Sequence, residues 1–187
     1  MRIISGRLKG RKIPNVYNVK NVSPSSDFLK GVLFNVIGAD IKGKVFCDLY
    51  AGTGSVGFEA VSRGAAFCIF VETSPELISI IINLSKQFGI EEKVKIIKKD
   101  ALKALDKGLL EEYRPDYIFL DPPYDSGLCG KTIGGIIKNA DLSNLSACNE
   151  VIAQHDKLEV LSENYFPYRL INEKKHGKSV LSFYGAL

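Results

Sequence analysis

The chain has 187 residues and a net charge of +4, with 45% hydrophobic and 25% charged residues, as in a globular protein with one sizeable core. No run approaches the ~18 apolar residues of a membrane helix, and the N-terminus lacks the apolar core of a secretory signal. The four cysteines show no C-x-x-C spacing and there are only two histidines, which disfavours a zinc site or a disulfide framework. We therefore expect a cytoplasmic protein that binds neither metal nor membrane.

The positive charge is concentrated at the N-terminus. Residues 1–22 contain six basic residues and no acidic one, whereas the rest of the chain has 19 basic and 21 acidic residues. This asymmetry is typical of polyanion binding, although a solvated tail that only aids solubility has the same composition. The candidate nucleic-acid contacts are Arg2, Arg7, Lys9, Arg11 and Lys12.

The first predicted elements are a short β-hairpin, with strands over 2–5 and 11–13, and a helix over 27–38. The helix is predicted because apolar residues recur on one face after a capping serine or aspartate. We group residues 1–40 as a basic extension and residues 41–187 as the main domain.

In the main domain short apolar strands alternate with amphipathic helices. The predicted strands cover 45–50, 67–72, 93–98, 116–121 and 150–154. The predicted helices cover 55–63, 75–88, 101–112 and 130–139. A closing hairpin is predicted to join 169–172 to 179–184.

Strands that alternate with helices predict a parallel sheet covered on both faces, and right-handed crossovers make it doubly wound. The predicted fold class is α/β: a Rossmann-like, doubly wound, mainly parallel sheet with an antiparallel C-terminal hairpin and a small N-terminal β-hairpin plus helix. Ligands of such sheets bind beyond the carboxyl ends of the strands.

A glycine-rich loop follows the first strand of this sheet. Gly52-Thr53-Gly54-Ser55-Val56-Gly57 fits the G-x-G-x-x-G pattern, in which glycine lets the backbone turn tightly and approach a ligand. Glu72 lies at the end of the second strand, where a carboxylate can accept hydrogen bonds from the ribose of an adenosine cofactor. These features alone suit NAD as well as S-adenosylmethionine.

Two further acidic residues favour S-adenosylmethionine. Asp48, late in the first strand, suits a cationic amino-acid group and would repel a pyrophosphate at the helix start. Asp100 follows the third strand, where it could meet an adenine amino group. The plainer alternative is that each acid caps a strand or a helix, but acids at three successive strand ends favour a cofactor site.

Asp121-Pro122-Pro123-Tyr124 directly follows the fourth strand. The prolines fix the backbone and remove two donors, so that their carbonyls are rigid acceptors. If Asp121 and the Pro122 carbonyl hold both N–H groups of an exocyclic amine, its lone pair can be aimed at an electrophilic methyl group. Tyr124 offers a face for stacking a base that has left its helix. The alternative is a simple strand-ending turn.

These motifs resemble those of amino-methyltransferases and, more narrowly, the chain looks like the RsmD family of 16S ribosomal RNA guanine-N2 methyltransferases. The narrower markers lie in the N-terminal block and just after the glycine loop. The matching runs are Met1 to Gly6, Gly10-Arg11-Lys12, Asp27 to Asn35, Asp48 to Ala65, Phe70-Val71-Glu72, Phe119 to Tyr124, and His176-Gly177.

The resemblance implies a role for each candidate residue. Cofactor contacts are expected along the methionine end, the ribose and the adenine, from Asp48, Ala51, Gly52, Thr53, Gly54, Glu72, Thr73, Asp100, Ala101 and Asp121. The target guanine would be held by the catalytic group Asp121, Pro122, Pro123 and Tyr124. The N-terminal hairpin would reach the RNA. The expected partner of this monomer is 16S ribosomal RNA within a small-subunit particle.

One stretch departs from the family pattern. The family usually carries arginines before and just inside the first helix, whereas this chain has Ser23 and Phe28 at those positions. If such arginines bind the RNA backbone, this chain is expected to bind it in an altered way.

Other functions share parts of this pattern. A DNA adenine-N6 or cytosine-N4 methyltransferase has the same tetrapeptide, but this short chain leaves little room for a DNA-recognition domain. Protein-glutamine methyltransferases usually favour Asn in place of Asp121. A nucleic-acid-binding protein with a vestigial cofactor site and a NAD-dependent oxidoreductase are weaker alternatives. His155 is interpreted as structural, because an amine acceptor does not require a histidine base.

Overall fold

The computed structural model describes residues 1–14, 27–123, 127–140 and 148–187. The helices within these ranges are α1 (Asp27–Ile37), α2 (Ser55–Arg63), α3 (Pro75–Phe88), α4 (Ala101–Leu105), α5 (Leu109–Tyr113) and α6 (Leu128–Asn139). The strands are β1 (Val45–Asp48), β2 (Phe67–Glu72), β3 (Val94–Lys98), β4 (Tyr117–Leu120), β5 (Glu150–Asp156), β6 (Asn164–Tyr165), β7 (Tyr168–His176) and β8 (Ser179–Ala186). Within the described ranges no helix has the length and apolar character needed to cross a membrane.

The strands form one sheet in the order β3-β2-β1-β4-β5-β8-β7-β6. β1 to β5 are mutually parallel, and β8 returns antiparallel along β5. The order reverses direction at β1 and β4, which is the switch point where doubly wound sheets bind ligands. The predicted fold class, with its antiparallel C-terminal strands, is therefore confirmed.

The sheet is covered on both faces. One core contains α1, α2 and α3 with three apolar side chains of the N-terminal hairpin, which are Ile3, Leu8 and Ile13. The other core contains α4, α5 and α6 with the opposite face of β1, β4 and β5. Burial on both faces explains why β1 and β4 are almost continuously apolar. The division at residue 40 stays a prediction, since the first core includes side chains from both sides of it.

The local structure differs from the predicted elements mainly in three places. The predicted helix over 101–112 is interrupted, because Gly108 adopts a left-handed conformation with φ of 81° and begins a new helix, α5. The C-terminal hairpin is longer than predicted and carries the additional edge strand β6. The predicted N-terminal hairpin forms with a single antiparallel bridge, between Arg2 and Lys12.

Gly57 allows α2 to pack closely on β2. A Cβ atom at this position would lie 2.2 Å from Cε1 of Phe70 and 2.6 Å from Sγ of Cys68, and both of those side chains are fully buried. The third glycine of the loop pattern is thus required by the close packing of α2 on β2.

We predict that Gly57→Ala lowers the free energy of unfolding by about 1–3 kcal/mol, because a methyl group must be forced into a filled core. The matched control is Gly134→Ala in α6, where a Cβ atom would meet no neighbour within 4 Å. That substitution should be neutral or stabilise the protein by up to about 1 kcal/mol. Equal effects of the two substitutions in urea titrations would contradict this account of the α2–β2 contact.

Candidate functional site

The loop between β1 and α2 is a tight turn at the carboxyl edge of the sheet. Gly52 and Gly54 have φ values of 55° and 78°, a conformation that side chains other than glycine rarely adopt. The Gly54 N–H donates to the Ala51 carbonyl at 2.8 Å, and the Ala51 N–H donates to Val71 of β2 at 3.0 Å. Thr53 is buried within the turn. The loop is therefore held by its own backbone before any ligand arrives.

Glu72 ties the end of β2 to this loop. Its Oε2 accepts a hydrogen bond from the Gly52 N–H at 2.8 Å. Its Oε1 accepts from the backbone N–H groups of Thr73 at 2.7 Å and Ser74 at 2.9 Å. Since a carboxylate offers about four acceptor sites, Oε2 retains room for a donor such as a hydroxyl group.

Asp48, the last residue of β1, carries a buried carboxylate whose Oδ1 has no hydrogen-bond partner among the described residues. Burial raises the pKa of this carboxyl to about 8, and the negative charges of Asp121 and Glu72 also raise it. Backbone hydrogen bonds from Tyr50 and Gly57 lower the pKa but do not compensate. A buried acceptor beside two further carboxylates is costly unless a cationic group joins it.

Asp100 caps the next helix along the sheet. Its Oδ1 accepts a hydrogen bond from the Lys103 N–H at 3.2 Å, which makes Asp100 the N-cap of α4. One oxygen of Asp100 therefore caps a helix, as expected from the alternative in which each acid is only a cap. The charge of Asp100 raises the pKa of Tyr50, after the larger effect of burial, so Asp100 shares the edge with the glycine loop. Ala101 is buried at the first position of α4.

Asp121 follows β4 directly and is positioned by a residue that the sequence did not single out. Gln154 of β5 is buried, and its Nε2 donates to Oδ2 of Asp121 at 3.0 Å. Pro122 is buried and Pro123 is exposed. Tyr124 lies outside the described residues. The sequence feature that could have identified Gln154 is its amide side chain, which follows the apolar run of β5, the strand next to β4.

His155, the neighbour of Gln154, has a structural role. Its side chain is buried, with Nδ1 2.9 Å from the Asp156 carbonyl and Nε2 2.9 Å from Oγ of Ser182. Because a carbonyl only accepts, Nδ1 donates to it, and Nε2 forms a hydrogen bond with the serine hydroxyl group. Both ring nitrogens are thus engaged within the protein, which agrees with the structural interpretation of His155.

The predicted nucleic-acid contacts lie on the N-terminal hairpin, which a buried carboxylate attaches to α2. Glu59 accepts hydrogen bonds from the Ile4 and Ser5 N–H groups at 2.7 and 3.0 Å, and it pairs with Arg63. Ser62 accepts from the Leu8 N–H at 2.9 Å through its hydroxyl group. The hairpin leaves five basic side chains exposed, which are Arg2, Arg7, Lys9, Arg11 and Lys12.

The remaining candidate ligands do not form a metal centre in the part of the chain that the structure describes. No group of three or more His, Cys, Asp or Glu side chains there could hold a metal ion. All four cysteines are free and buried. Burial raises the pKa of Cys47 and of Cys68 well above the usual value, so these thiols stay protonated.

Comparison with known proteins gives consistent matches over nearly the whole chain. A family model described as conserved hypothetical protein 95 matches residues 1–185. The chain is 30% identical to the Bacillus subtilis protein YlbH over 98% of both sequences. It is 32% identical to ribosomal RNA small subunit methyltransferase D of Haemophilus influenzae, covering 95% of this chain and 89% of that protein. The solved Escherichia coli yhhF structure shares the fold with a TM-score of 0.82 and 24% identity, covering 100% of this chain and 97% of that one.

We predict that Asp48→Asn changes the pH dependence of stability in the ligand-free protein. The pKa of Asp48 rises from 3.8 to about 8 on folding. Ionisation therefore favours the unfolded chain, and the parent protein loses stability as the pH rises through this window. The variant cannot ionise at this position. The difference in free energy of unfolding between the variant and the parent should therefore grow in the variant's favour between pH 5 and pH 8. We expect this growth to exceed about 1.4 kcal/mol, which is the equivalent of one pKa unit.

Urea titrations of both proteins at the two pH values measure this difference. Asp40→Asn, at an exposed position, controls for the loss of one negative charge. An advantage of Asp48→Asn that is the same at pH 5 and pH 8 contradicts the prediction.

Proposed function

The chain belongs to the conserved hypothetical protein 95 family, the RsmD family, and we propose that it is an S-adenosylmethionine-dependent methyltransferase that methylates the exocyclic N2 amine of a guanine in 16S ribosomal RNA. The observation that carries the proposal is the position of Asp121. Its carboxylate is oriented by Gln154 and lies within electrostatic reach of Asp48, beside the glycine loop. An acceptor for an amine and a site for a cationic cofactor thus share one sheet edge.

The residues at this edge fit S-adenosylmethionine. Oδ1 of Asp48 has no hydrogen-bond partner among the described residues, and it suits the positive charge of the cofactor. That charge would stabilise the ionised carboxylate. The open side of the Gly52–Gly54 turn admits a ligand, because a Cβ at Gly52 would meet nothing within 4 Å. Oε2 of Glu72 would accept from a ribose hydroxyl, and Asp100 with Ala101 would border the adenine. When bound, the cofactor supplies an electrophilic methyl group.

The remaining contacts of the cofactor are assigned to backbone and neighbouring side chains. Ala51, Thr53 and Thr73 would line the pocket between the glycine loop and the end of β2. Asp121 would border its methionine end as well as the target amine. These assignments follow from adjacency in the chain to Gly52, Gly54 and Glu72.

The protein's contribution to methyl transfer is orientation and electrostatics. Asp121 and the Pro122 carbonyl would accept hydrogen bonds from the two N–H groups of the guanine amine, which directs its lone pair toward the cofactor. Pro123 keeps the chain rigid, and Tyr124 would stack on the base. The amine can lose a proton after transfer, so no strong base is needed, in agreement with the structural role of His155.

The proposed partner is 16S ribosomal RNA within a small-subunit particle, to which the protein binds as a cytoplasmic monomer. In this proposal residues 1–40 form the RNA-contacting extension and residues 41–187 the methyltransferase domain. The five exposed basic side chains of the N-terminal hairpin support the extension's role. The name of the Haemophilus influenzae relative supports the small-subunit substrate.

The function is tested with labelled S-adenosylmethionine and small ribosomal subunits from cells that lack this gene. We expect label in 16S RNA, recovered after digestion as N2-methylguanosine. Asp121→Ala should lower turnover by at least about 100-fold, because it removes an acceptor that orients the amine. Calorimetry should show that the variant still binds S-adenosylhomocysteine. Labelled DNA with unlabelled RNA, or full activity of the variant, contradicts the proposal.

Gln154 provides a second test of the site. Gln154→Met keeps the volume of the side chain but removes the donor to Asp121, and a hydrogen bond to a charged group contributes about 1.5–3 kcal/mol. We expect turnover to fall by roughly 10- to 100-fold with cofactor affinity retained. Gln87→Met, on the exposed side of α3, is the matched control. Turnover of Gln154→Met equal to that of the control removes Gln154 from the site.

A further inference from the structure

The turn between β7 and β8 lies on the same sheet edge as Asp121. Gln154 of β5 marks the level of Asp121, to which it is hydrogen-bonded. β8 returns antiparallel along β5, with Ser179 opposite Asp156. The turn therefore starts about two residues, ~7 Å, beyond Gln154, and β8 lies two strand spacings, ~10 Å, from β4. The turn is therefore within reach of a polymer that places one unit at Asp121.

This turn carries a concentration of positive charge. We call residues 174–178 together with Lys157 the basic turn. The Lys157 N–H donates to the Lys178 carbonyl at 2.8 Å, which holds the two segments together. Lys175 is paired with Glu173 at 2.8 Å, whereas Lys157, Lys174 and Lys178 are exposed and form no ion pair with any described residue. Unpaired exposed lysines at a sheet edge are suited to phosphate groups.

An exposed aromatic pair stands beside these lysines. Phe28, in the first turn of α1, stacks on His176 of the basic turn, with ring centroids 4.0 Å apart and an angle of 30° between the rings. Phe28 remains 55% exposed, although a phenylalanine usually buries its ring. Aromatic faces interleaved with lysines are the usual means by which proteins bind unpaired nucleotides.

The segment of the N-terminal hairpin around Arg7 is less well placed to contact RNA at this edge, whereas Arg2 is held beside the first turn of α1, where the Lys30 side chain donates to its carbonyl. The hairpin segment around Arg7 and Leu8 is attached to Ser62, seven residues into α2 from its start at the glycine loop. Seven residues of helix span about 10 Å, and α2 leads away from the carboxyl edge. The basic turn therefore lies closer to the carboxyl edge than Arg7 and its neighbours do.

We propose that the basic turn and the Phe28–His176 pair bind the RNA segment that flanks the target guanine. The lysines contact phosphates, and the exposed face of Phe28 stacks on an unpaired base. This proposal rests on the proposed function, because it assumes that RNA occupies the edge at Asp121.

The charge contribution is tested with the double variant Lys174→Gln and Lys178→Gln in the full-length protein. We expect the apparent affinity for undermethylated small subunits to fall roughly tenfold or more, and the dependence of log affinity on log salt to weaken by about 1.4 for two lost contacts. The matched control, Lys86→Gln with Lys95→Gln, removes the same charge from exposed positions on α3 and β3. Equal weakening by the control would show a non-specific effect and overturn the proposal.

The stacking contribution is tested with Phe28→Leu, which keeps an apolar side chain but removes the flat face. Loss of one base–aromatic stack should weaken binding by roughly 5- to 100-fold without changing the salt dependence. Thermal unfolding of the variant checks that α1 remains folded. Unchanged affinity of a folded variant would show that Phe28 does not stack on the RNA.

Failure of this proposal is distinguishable from failure of the proposed function. If the parent protein methylates 16S RNA while the basic-turn variant and Phe28→Leu bind subunits as the parent does, the surface is wrong and the function stands. If the parent methylates no RNA, the proposed function fails first and this surface fails with it.

Discussion

A buried carboxylate with one unpartnered oxygen is the constraint around which the candidate site is organised. Asp48 ends a strand whose last three residues are buried, and among the described residues nothing donates to its Oδ1. The neighbouring carboxylates of Glu72 and Asp121 make its ionised form still less favourable. Folding alone would favour a neutral side chain here. The arrangement is understandable if a cationic ligand completes it; in the proposed function, the residue that costs stability would then contribute affinity.

The backbone around Asp48 is arranged so that this ligand site is formed in advance. Glu72 fixes the glycine loop, and Gly57 lets α2 start close to β2. On the opposite side of Asp48 in the sheet, Gln154 fixes the carboxylate of Asp121. The proposed cofactor site and the proposed amine acceptor are thus held by separate hydrogen bonds, one from the Gly52 N–H to Glu72 and one from Gln154 to Asp121. Such preorganisation suits a reaction that depends on orientation and needs no strong base.

Much of the fold could be predicted from the sequence because its signals are local. The apolar strands, the glycine loop after β1 and the helix start at Ser74-Pro75 each lie within a few consecutive residues. The helix break at Gly108 was missed, because a single glycine within a helical pattern is compatible with either outcome. Asp100 illustrates a shared role, since the predicted cofactor residue is also a helix cap.

The parts of the site that sequence could not supply are contacts between distant residues. Gln154 and Asp121 are 33 residues apart, and Glu59 meets Ile4 across 55 residues. Phe28 marked a missing arginine in the sequence, whereas the structure gives it a partner, His176, on another element. No local pattern contains such pairs, because they depend on strand order and on how α1 packs across the sheet.

In the proposed function, Asp48 and Asp121 together serve the methylation of one guanine amine. The most direct measurement is mass mapping of ribosomal RNA nucleosides and fragments from cells with and without this gene. We predict that a single guanine-containing fragment of 16S RNA is one methyl group lighter without the gene and that N2-methylguanosine is the nucleoside lost. Identical maps of 16S RNA from the two strains would contradict the account.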